Sequence, residues 1–237
     1  MTGRISSLQS LGASDGPGVR YVTFLQGCPL RCIYCHNPET WDIREGKDIS
    51  AEELFEKIKR CVPYFGDKGG ITLSGGEPLL QSEFAFELFS LCKSNDIHTA
   101  LDTSGIGANQ HIEKLLDVTD LVICDIKFTE EELYLKNCKG HITDVLNFLD
   151  LTEKKEIPLW IRHVVVPNLT DTEEEIFKVI SIAEKYSNLK KIELLPFKKL
   201  CLDKYNNLGI PFLLENTPNC SEELIKKLRD LIPEKFR

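Results

Sequence analysis

The stretch that decides the fold is Val19–Leu25, VRYVTFL, which runs directly into Gln26–Cys35, QGCPLRCIYC. The first part is rich in β-branched and aromatic residues and predicts a β-strand. The second part predicts a loop that carries Cys28, Cys32 and Cys35. Iron–sulfur clusters are held by cysteine thiolates, commonly four of them. Three thiolates on one short loop therefore predict a cluster with one iron left open, and an open metal position is typical of a catalytic site.

A zinc site is the alternative interpretation of these cysteines. Structural zinc is normally bound by four ligands in paired spacings. His36 is the nearest candidate for a fourth ligand, but it is adjacent to Cys35 and poorly placed. A second motif, Gly-Gly-Glu-Pro at residues 75–78, follows another predicted strand. Its glycines let the backbone approach a ligand closely, and its carboxylate can receive an ammonium group. The two motifs together favour an iron–sulfur enzyme.

Short apolar strands alternate with amphipathic helices along the chain, which predicts a parallel sheet with helical crossovers. Ser50 and Thr172 each precede a glutamate by three residues, and this pattern predicts two helix starts. Six strand–helix units in 237 residues suit an α/β fold of the incomplete (β/α)6 barrel type better than a full barrel of about 250 residues. A doubly wound open sheet is the main alternative. The predicted strands are Val19–Leu25, Ile71–Leu73, Thr99–Leu101, Leu121–Cys124, Trp160–Val166 and Lys191–Leu195.

We expect residues 1–237 to form a single domain, with a core at about 15–200 and a C-terminal extension at 201–237. The stretch Asn206–Asn219 is rich in proline and asparagine and is predicted to be irregular. A final helix is predicted to start at Ser221, because the two glutamates that follow suit the helix dipole.

Polar residues cluster where the predicted strands end. Asp102 and Asp125 each follow a short apolar strand, and active sites of parallel α/β folds lie at the carboxyl ends of strands. Each aspartate taken singly is equally explained as a turn former or helix cap. Arg162, in an apolar strand, is equally explained as a structural ion pair. Their convergence with the cysteine loop and the glycine pair favours one shared functional site.

Composition narrows the class of protein. The formal net charge of −8 argues against broad nucleic-acid binding. We find no apolar run long enough to span a membrane and no signal-peptide core, so we expect a cytoplasmic protein. An odd count of nine cysteines without an export signal indicates free thiols. Outside the loop, we expect structural or incidental roles for Cys61, Cys92, Cys124, Cys138, Cys201 and Cys220.

The C-x₃-C-x₂-C loop and the Gly-Gly-Glu-Pro strand end resemble the shared signatures of radical S-adenosylmethionine enzymes. Further motifs resemble the glycyl-radical activating enzyme family, in particular its branch that serves pyruvate formate-lyase. The resemblance runs from about Arg4 to Leu200 and is loose beyond it. Its motifs are DGPGVR at 15–20, CHNPETW at 35–41, LDTSG at 101–105, DIK at 125–127, IRHVVVP at 161–167 and IELLP at 192–196.

The resemblance implies a [4Fe–4S] cluster on three cysteines, with S-adenosylmethionine bound to the open iron. One electron from a reduced flavodoxin or ferredoxin would allow removal of a hydrogen from a glycine of pyruvate formate-lyase, giving methionine and 5′-deoxyadenosine. We expect a monomer. Residues 37–74 contain only Cys61, whereas many relatives that serve other lyases carry a cysteine-rich insertion there. An activator of another glycyl-radical lyase, a small-molecule radical enzyme and a non-catalytic iron–sulfur or zinc regulator remain the alternatives.

The resemblance also implies roles for individual residues in binding S-adenosylmethionine. Lys198 stands where close relatives have a histidine that touches the cofactor, so it is either a replacement contact or a solvated side chain. The contacts of the adenosyl group match Tyr34, Cys35 and His36. Those of the methionine amino group match Gly75, Gly76 and Glu77. Those of the ribose and carboxylate match Asp125, Ile126 and Lys127.

Two further sets of positions match sites next to the cofactor. Asp15 and Arg162 match residues that face the glycine-bearing peptide, where a charged pair can orient backbone groups. The second set matches a site for a monovalent cation, to which all-oxygen ligands are suited. It consists of Asp102, Thr103, Asp125 and the carbonyl of Ile123.

Overall fold

The structure is a computed structural model that describes residues 1–107 and 109–237. The described residues form eight β-strands in one sheet and eight α-helices. The strands are β1 (Thr2–Gly12), β2 (Arg20–Leu25), β3 (Lys47–Ser50), β4 (Gly70–Gly75), β5 (His98–Thr103), β6 (Leu121–Asp125), β7 (Leu159–Val165) and β8 (Leu189–Pro196). The helices are α1 (Ala51–Lys59), α2 (Ser82–Lys93), α3 (Ile112–Asp117), α4 (Glu131–Cys138), α5 (Ile142–Lys154), α6 (Glu173–Ala183), α7 (Leu202–Leu208) and α8 (Glu222–Arg229).

The strand order is β3-β1-β2-β4-β5-β6-β7-β8. β1 is antiparallel to β2 and β3, whereas β2 and β4 to β8 pair in parallel. The six parallel strands follow chain order without a reversal, so right-handed crossovers place the helices on one side of the sheet. A doubly wound sheet reverses its order at a switch point. The open, sequential sheet therefore confirms the incomplete barrel and contradicts the doubly wound alternative.

All six predicted strands are present, with ends that differ by at most two residues. The predicted helix starts are also confirmed, because Ser50 accepts a hydrogen bond from the Glu53 N–H and Thr172 accepts one from the Glu175 N–H. These caps work because a hydroxyl oxygen satisfies one of the free N–H groups of the first turn.

The strands β1 and β3 were not predicted. β1 has a largely exposed, polar sequence, and β3 has only four residues, so neither carries an apolar alternation. Backbone pairing to β2 and to each other holds them in the sheet. The prediction of an irregular stretch at 206–219 is wrong for its first three residues, because they form the last turn of α7. The helices α3, α4, α5 and α7 were also not predicted.

The inner face of the sheet has an apolar layer below a polar layer. Residues two apart on a strand point to the same face. Ala100, Leu121 and Ile123 are buried together in the lower layer, with Trp160 packed against them. This layer closes the bottom of the barrel. Two residues further along the same strands, at their carboxyl ends, are Asp102, Asp125 and Arg162.

The chain after β8 returns to the segment that follows the cysteine loop. Tyr205 in α7 packs edge-on against Trp41, with ring centroids 6.1 Å apart. Lys204 Nζ donates to Asn37 Oδ1 at 2.8 Å. The extension at 201–237 therefore packs on the core, although the boundary at about residue 200 stays a prediction. None of the described helices is long and apolar enough to cross a membrane.

Candidate active site

One cavity of about 290 Å³ opens at the carboxyl ends of the parallel strands. Most of the residues singled out from the sequence line it, although they come from six separate segments of the chain. Among those residues, the side chains of Glu77, Ile123, Ile126 and Lys198 stay outside the lining. The ones that line it are Asp15, Cys28, Cys32, Tyr34, Cys35, His36, Gly75, Gly76, Asp102, Thr103, Asp125, Lys127 and Arg162.

The cysteine loop is fixed by the C-terminal end of α4. The N–H of Arg31 donates to Cys138 O at 2.8 Å, and the N–H of Ile33 donates to Asn137 O at 3.0 Å. The Arg31 guanidinium also donates to Cys28 O at 2.8 Å. The loop has no regular secondary structure, so these contacts set the direction of the thiols. The last four carbonyl groups of a helix lack partners within it, and here the loop supplies two of those partners.

The donor set of the cavity suits an iron–sulfur cluster. Cys28, Cys32 and Cys35 are free thiols on the same wall. Soft thiolates are the ligands of iron–sulfur clusters. Within residues 1–107 and 109–237, no three His, Cys, Asp or Glu side chains are arranged to hold a single metal ion. The three thiols line one cavity, and their chemistry fits the ligands of an iron–sulfur cluster.

The surroundings of the three thiols disfavour their ionised forms. Burial raises the pKa of Cys28 to about 12 and that of Cys35 to about 11. The neighbouring Cys138 thiol and burial raise the pKa of Cys32. Metal binding must displace these protons, because the thiolate is the ligand.

The glycine pair brings β4 against the start of the cysteine loop. Gly75 has φ of +107°, and a Cβ there would overlap the backbone of Leu25. A Cβ on Gly76 would overlap the carbonyl oxygen of Gly27. The N–H of Glu77 donates to that same carbonyl at 2.8 Å. Only glycine permits this approach, so the two sequence motifs form one rigid unit.

Glu77 is buried and braces two strand ends from behind the cavity. Its carboxylate accepts hydrogen bonds from the Thr103 hydroxyl at 2.6 Å and from the Ser104 N–H at 2.8 Å. It also accepts one from the Leu79 N–H at 3.0 Å. Burial raises the pKa of Glu77, whereas the donors from Ser104 and Thr103 act to lower it. In this structure the carboxylate supports the loop after β5, and the predicted contact with an amino group stays a prediction.

Arg162 lies at the centre of an acidic cluster. Its Nε donates to Glu193 Oε2 at 2.7 Å, and its Nη1 lies 3.5 Å from Asp102 Oδ2 and 4.0 Å from Asp15 Oδ1. Its Nη2 donates to Ser14 O. Burial lowers the pKa of Arg162, but Asp102 and Glu193 outweigh this effect and the net shift is upward. The arginine is a permanent cation that joins β7, β8 and the 14–18 loop.

Asp102 and Asp15 are held less firmly than Arg162. Burial raises the pKa of Asp102 to about 6, although Arg162 acts in the opposite direction. Burial also raises the pKa of Asp15. Ser74 donates to Asp102 Oδ2 at 2.7 Å. Glu193, Asp102 and Asp15 share the one guanidinium of Arg162. This leaves acceptor capacity on Asp102 and Asp15 for a polar ligand in the cavity.

Lys127 and Asp125 form an ion pair at the end of β6. Lys127 Nζ lies 2.8 Å from Asp125 Oδ2, and both side chains are largely buried. Burial lowers the pKa of Lys127, but Asp125 and nearby acidic groups raise it more, so the lysine is charged. The Tyr34 hydroxyl donates to Lys127 O at 3.4 Å. These contacts place Tyr34, the residue before Cys35, at the end of β6.

His36 is anchored by the backbone of the segment after β8. Its Nε2 lies 2.7 Å from Lys198 O, and a carbonyl accepts, so Nε2 carries the proton. Burial lowers the pKa of His36. The Lys198 side chain lies at the surface, with Nζ 3.7 Å from Glu222 Oε1. Lys198 therefore contacts the site region through its carbonyl group, and a contact of its ammonium with a cofactor stays a prediction.

Several contributors to the site were not predicted, among them Ser74, Trp41 and Glu193. Ser74 and Trp41 line the cavity, and Glu193 holds Arg162 in place. Glu193 was within reach of sequence reasoning, because it lies directly across from Arg162 in the pairing of β7 with β8. Trp41 is the last residue of the CHNPETW motif, but the sequence analysis assigned it no role.

Comparison with known proteins identifies the family. Residues 22–180 match the Radical SAM superfamily. The pyruvate formate-lyase-activating enzyme of Clostridium pasteurianum is 44% identical over 233 residues, which cover 98% of this chain and 98% of that protein. The protein of the same name from Staphylococcus epidermidis is 40% identical and covers 96% of this chain and 94% of its own length.

Solved structures agree on the fold. A radical SAM methyltransferase from Sphaerobacter thermophilus has a TM-score of 0.66 at 13% identity, over 92% of this chain and 66% of that one. A domain of the pyruvate-formate lyase-activating enzyme from Bacteroides vulgatus has a TM-score of 0.56 at 21% identity, over 68% of this chain and 91% of that one. The chain belongs to the Radical SAM superfamily and, within it, to the family of pyruvate formate-lyase-activating enzymes.

Proposed function

We propose that this protein generates a glycyl radical on pyruvate formate-lyase. The observation that carries this proposal is the single cavity in which the three loop thiols, the glycine pair and the Arg162 cluster meet. It occurs in a chain that is 44% identical to a pyruvate formate-lyase-activating enzyme over nearly its full length. As a Radical SAM protein, the chain uses an iron–sulfur cluster and S-adenosylmethionine. When bound, these groups supply reductive cleavage of a sulfur–carbon bond and removal of one hydrogen atom from a glycine, giving methionine and 5′-deoxyadenosine.

We assign Cys28, Cys32 and Cys35 as the three ligands of a [4Fe–4S] cluster. The support is their free thiols, their shared cavity wall and the fixed backbone of the loop. Three protein ligands would leave one iron of the cluster available to S-adenosylmethionine. The raised pKa values of the thiols imply that loading the cluster releases protons.

The remaining lining residues would orient the cofactor and the substrate. Gly75 and Gly76 line the cavity together with the thiols, and the charged Lys127 suits a carboxylate. Arg162 and Asp15, across the cavity, would position the glycine-bearing peptide through its backbone groups. We also keep the cation site at Asp102, Thr103, Asp125 and the Ile123 carbonyl as a proposal. Asp102 has spare acceptor capacity for such an ion.

Three further proposals rest on the sequence and on family resemblance. The electron donor is a reduced flavodoxin or ferredoxin, the protein is a monomer, and it acts in the cytoplasm. An electron donor of this kind is required because the reaction consumes one electron that the chain does not itself supply.

Cluster loading and radical formation test the proposal. Anaerobic reconstitution should give ~4 irons per chain. Dithionite and S-adenosylmethionine should then release 5′-deoxyadenosine, and added pyruvate formate-lyase should show a glycyl radical by electron paramagnetic resonance. Deoxyadenosine without that signal would assign a different substrate to the enzyme.

The variant Cys32→Ala should lose both the cluster and the radical signal. Cys61→Ala is the matched control, because Cys61 is a free cysteine that does not line the cavity. It should keep its iron and its activity. A fully active Cys32→Ala protein would contradict the ligand assignment.

A further inference from the structure

His163 is a buried histidine on β7, behind the wall of the cavity. Its side chain is almost inaccessible to solvent. Neighbouring residues on a strand point to opposite faces of the sheet. Arg162 and Val164 line the cavity, so His163, which lies between them, points to the other face. The imidazole therefore acts on the site only through the backbone that it contacts.

The imidazole of His163 forms a hydrogen bond with the backbone just beyond β6. Its Nδ1 lies 2.7 Å from Ile126 O, and a carbonyl oxygen only accepts, so Nδ1 carries the proton. Burial lowers the pKa of His163, which favours the neutral ring. The other ring nitrogen, Nε2, is buried and has no partner among the described residues. The bond to Ile126 is thus the contact that orients the ring.

Ile126 is the central residue of the segment Asp125–Lys127, which follows β6 at the edge of the cavity. The register of β6 with β7 ends at Asp125 and Arg162. The N–H of Ile126 then donates to Arg162 O at 2.9 Å. Since its carbonyl accepts from His163, both backbone polar groups of Ile126 are bound to consecutive residues of β7. The attachment of β6 to β7 therefore extends one residue beyond the strand.

The bond from His163 sets the direction of the peptide group between Ile126 and Lys127. The carbonyl of Ile126 and the N–H of Lys127 belong to one planar trans peptide and point in opposite directions. Holding this carbonyl towards His163 fixes where the backbone of Lys127 begins. Lys127 Nζ lies 2.8 Å from Asp125 Oδ2, and both residues line the cavity. A rotation of this peptide group would displace the ion pair.

A second buried contact holds the same segment three residues further along. The backbone N–H and the hydroxyl of Thr129 donate to Glu175 Oε1 at 3.2 and 2.9 Å. Glu175 lies in the first turn of α6 and is buried. The chain from Ile126 to Thr129 is therefore anchored at both ends. The anchor at His163 is the one next to the residues that line the cavity.

We propose that His163 is a positioning residue for S-adenosylmethionine, which holds Asp125 and Lys127 in their binding geometry through the carbonyl of Ile126. This inference deepens the proposed function and rests on it, since it requires these two side chains to contact S-adenosylmethionine. His163 itself takes no part in bond breaking. An interaction that serves the bound cofactor and the transition state equally changes KM and leaves kcat unchanged. The expected signature is therefore a loss of affinity with little loss of rate at saturation.

Two substitutions separate the N–H donor from the rest of the side chain. His163→Leu removes the donor, whereas His163→Asn keeps an amide N–H close to the position of Nδ1. In reconstituted protein of verified iron content, equilibrium dialysis without reductant measures the Kd of S-adenosylmethionine, and release of 5′-deoxyadenosine with dithionite gives KM and kcat. His163→Leu should raise Kd and KM about fivefold to tenfold, as for the loss of one hydrogen bond. Its kcat should stay within about threefold of the unaltered protein. His163→Asn should restore Kd to within about threefold.

His98→Leu is the matched control, because it makes the same change at the opposite end of the barrel. His98 is the first residue of β5, and its Nδ1 lies 3.2 Å from Arg20 Nη1. This variant should keep Kd within about twofold of the unaltered protein. An unchanged Kd in His163→Leu with full iron content would overturn the proposal, and so would a His163→Asn protein that binds no better than His163→Leu. If the unaltered protein holds its cluster but binds no S-adenosylmethionine, the proposed function fails instead.

A second measurement uses the unaltered protein and so does not depend on how a variant folds. The chain has 5 histidines, and in holoenzyme labelled with ¹⁵N-histidine, long-range ¹H–¹⁵N correlation shows which ring nitrogen carries the proton. One histidine should carry on Nδ1 a proton that exchanges slowly with water, because the Nδ1 of His163 is buried and bonded. His141, whose Nδ1 pairs with Glu131 at the surface, should exchange rapidly. Absence of a slowly exchanging Nδ1 proton would refute the hydrogen bond on which the positioning depends.

Discussion

Two buried arginines mark the two ends of the barrel, and their surroundings differ in kind. Arg20 lies at the amino-terminal end of β2 and is fully buried. Its guanidinium donates to neutral acceptors, among them Thr72 Oγ1 at 3.0 Å and His98 O at 3.3 Å. Arg162 lies at the opposite end and is surrounded by the carboxylates of Glu193, Asp102 and Asp15.

The pKa values of the two arginines reflect this difference. Burial lowers the pKa of Arg20 to about 10, because the negative charges of Asp120 and Asp15 offset only part of the lost hydration. Burial acts on Arg162 as well, but its carboxylate partners raise the pKa of Arg162 overall. At the amino-terminal end of the strands, Arg20 satisfies the carbonyl groups that converge there. At the carboxyl end, several carboxylates surround Arg162 in a cavity that opens to solvent. In α/β barrels, stability is typical of the first end and chemistry of the second.

The same substitution at both arginines tests this contrast, and the largest effect is expected at Arg162. Arg162→Lys keeps the charge but loses the planar fork that joins Glu193 to Ser14. We expect the rate of glycyl radical formation on the lyase to fall about 100-fold, or about 2.7 kcal/mol. The free energy of unfolding should change by about 1 kcal/mol or less. Radical accumulation is followed by electron paramagnetic resonance, and unfolding is followed in urea.

The release of 5′-deoxyadenosine without the lyase distinguishes substrate positioning from cofactor binding. It should change less than about threefold in Arg162→Lys, a difference of well under 1 kcal/mol. Equal losses in both assays would contradict the assignment of Arg162 to the peptide. Arg44→Lys is the control, because Arg44 is exposed and, among the described residues, its side chain pairs only with Asp42.

At the other end, Arg20→Lys should reverse the pattern. A lysine has three donors and cannot reach the acceptors that Arg20 satisfies, which leaves buried carbonyl groups unpaired. We expect a loss of about 2 kcal/mol in the free energy of unfolding. Radical formation per folded molecule should stay within about threefold of the unaltered protein. A stable but inactive Arg20→Lys protein would show instead that Arg20 acts on the site, through Thr72 and the Asp15 carbonyl that it binds.

The sequence predicted the six parallel strands because each is a short apolar run that ends in a polar turn. It also brought the cysteine loop, the glycine pair and Arg162 to one site, since parallel strands end on the same edge of the sheet. β1 escaped prediction because its stability comes from pairing with β2 and β3, and its sequence carries little apolar pattern. Backbone pairing of this kind leaves almost no trace in local composition.

Side-chain direction was the part that sequence could not supply. The carboxylate of Glu77 turns inward to the Thr103 and Ser104 donors, and the Lys198 side chain turns outward to Glu222. Both directions depend on which loop packs behind the residue, which spacing does not reveal. The surroundings of Trp41 were invisible for the same reason, because they are formed by Arg31 and by Tyr205 from the far end of the chain.

The smallest expected effect concerns Asp120, which belongs to the stabilising end of the barrel. Its carboxylate accepts from the Thr99 N–H at 2.9 Å and pairs with Lys93. Burial raises the pKa of Asp120, but Lys93 and the Thr99 N–H outweigh it, and the net shift is downward. Asp120→Asn should therefore lose about 1 kcal/mol of stability at pH 7. Asp117→Asn, which alters an exposed pair with Lys155, should lose less than about 0.5 kcal/mol.

The pH dependence of the Asp120 effect follows from the sign of its pKa shift. A carboxylate whose pKa is lower in the folded state stabilises the fold above its unfolded pKa of about 3.9 and loses that contribution as the pH falls through the folded value. The gap in unfolding free energy between the unaltered protein and Asp120→Asn should be constant from pH 7 to about 5 and should narrow towards pH 3. Urea unfolding of the two cluster-free chains measures this gap without interference from acid loss of the cluster. A gap that widens on acidification would mean that burial, and not Lys93 with Thr99, dominates at Asp120, and that this end of the barrel also stores unfavourable charge.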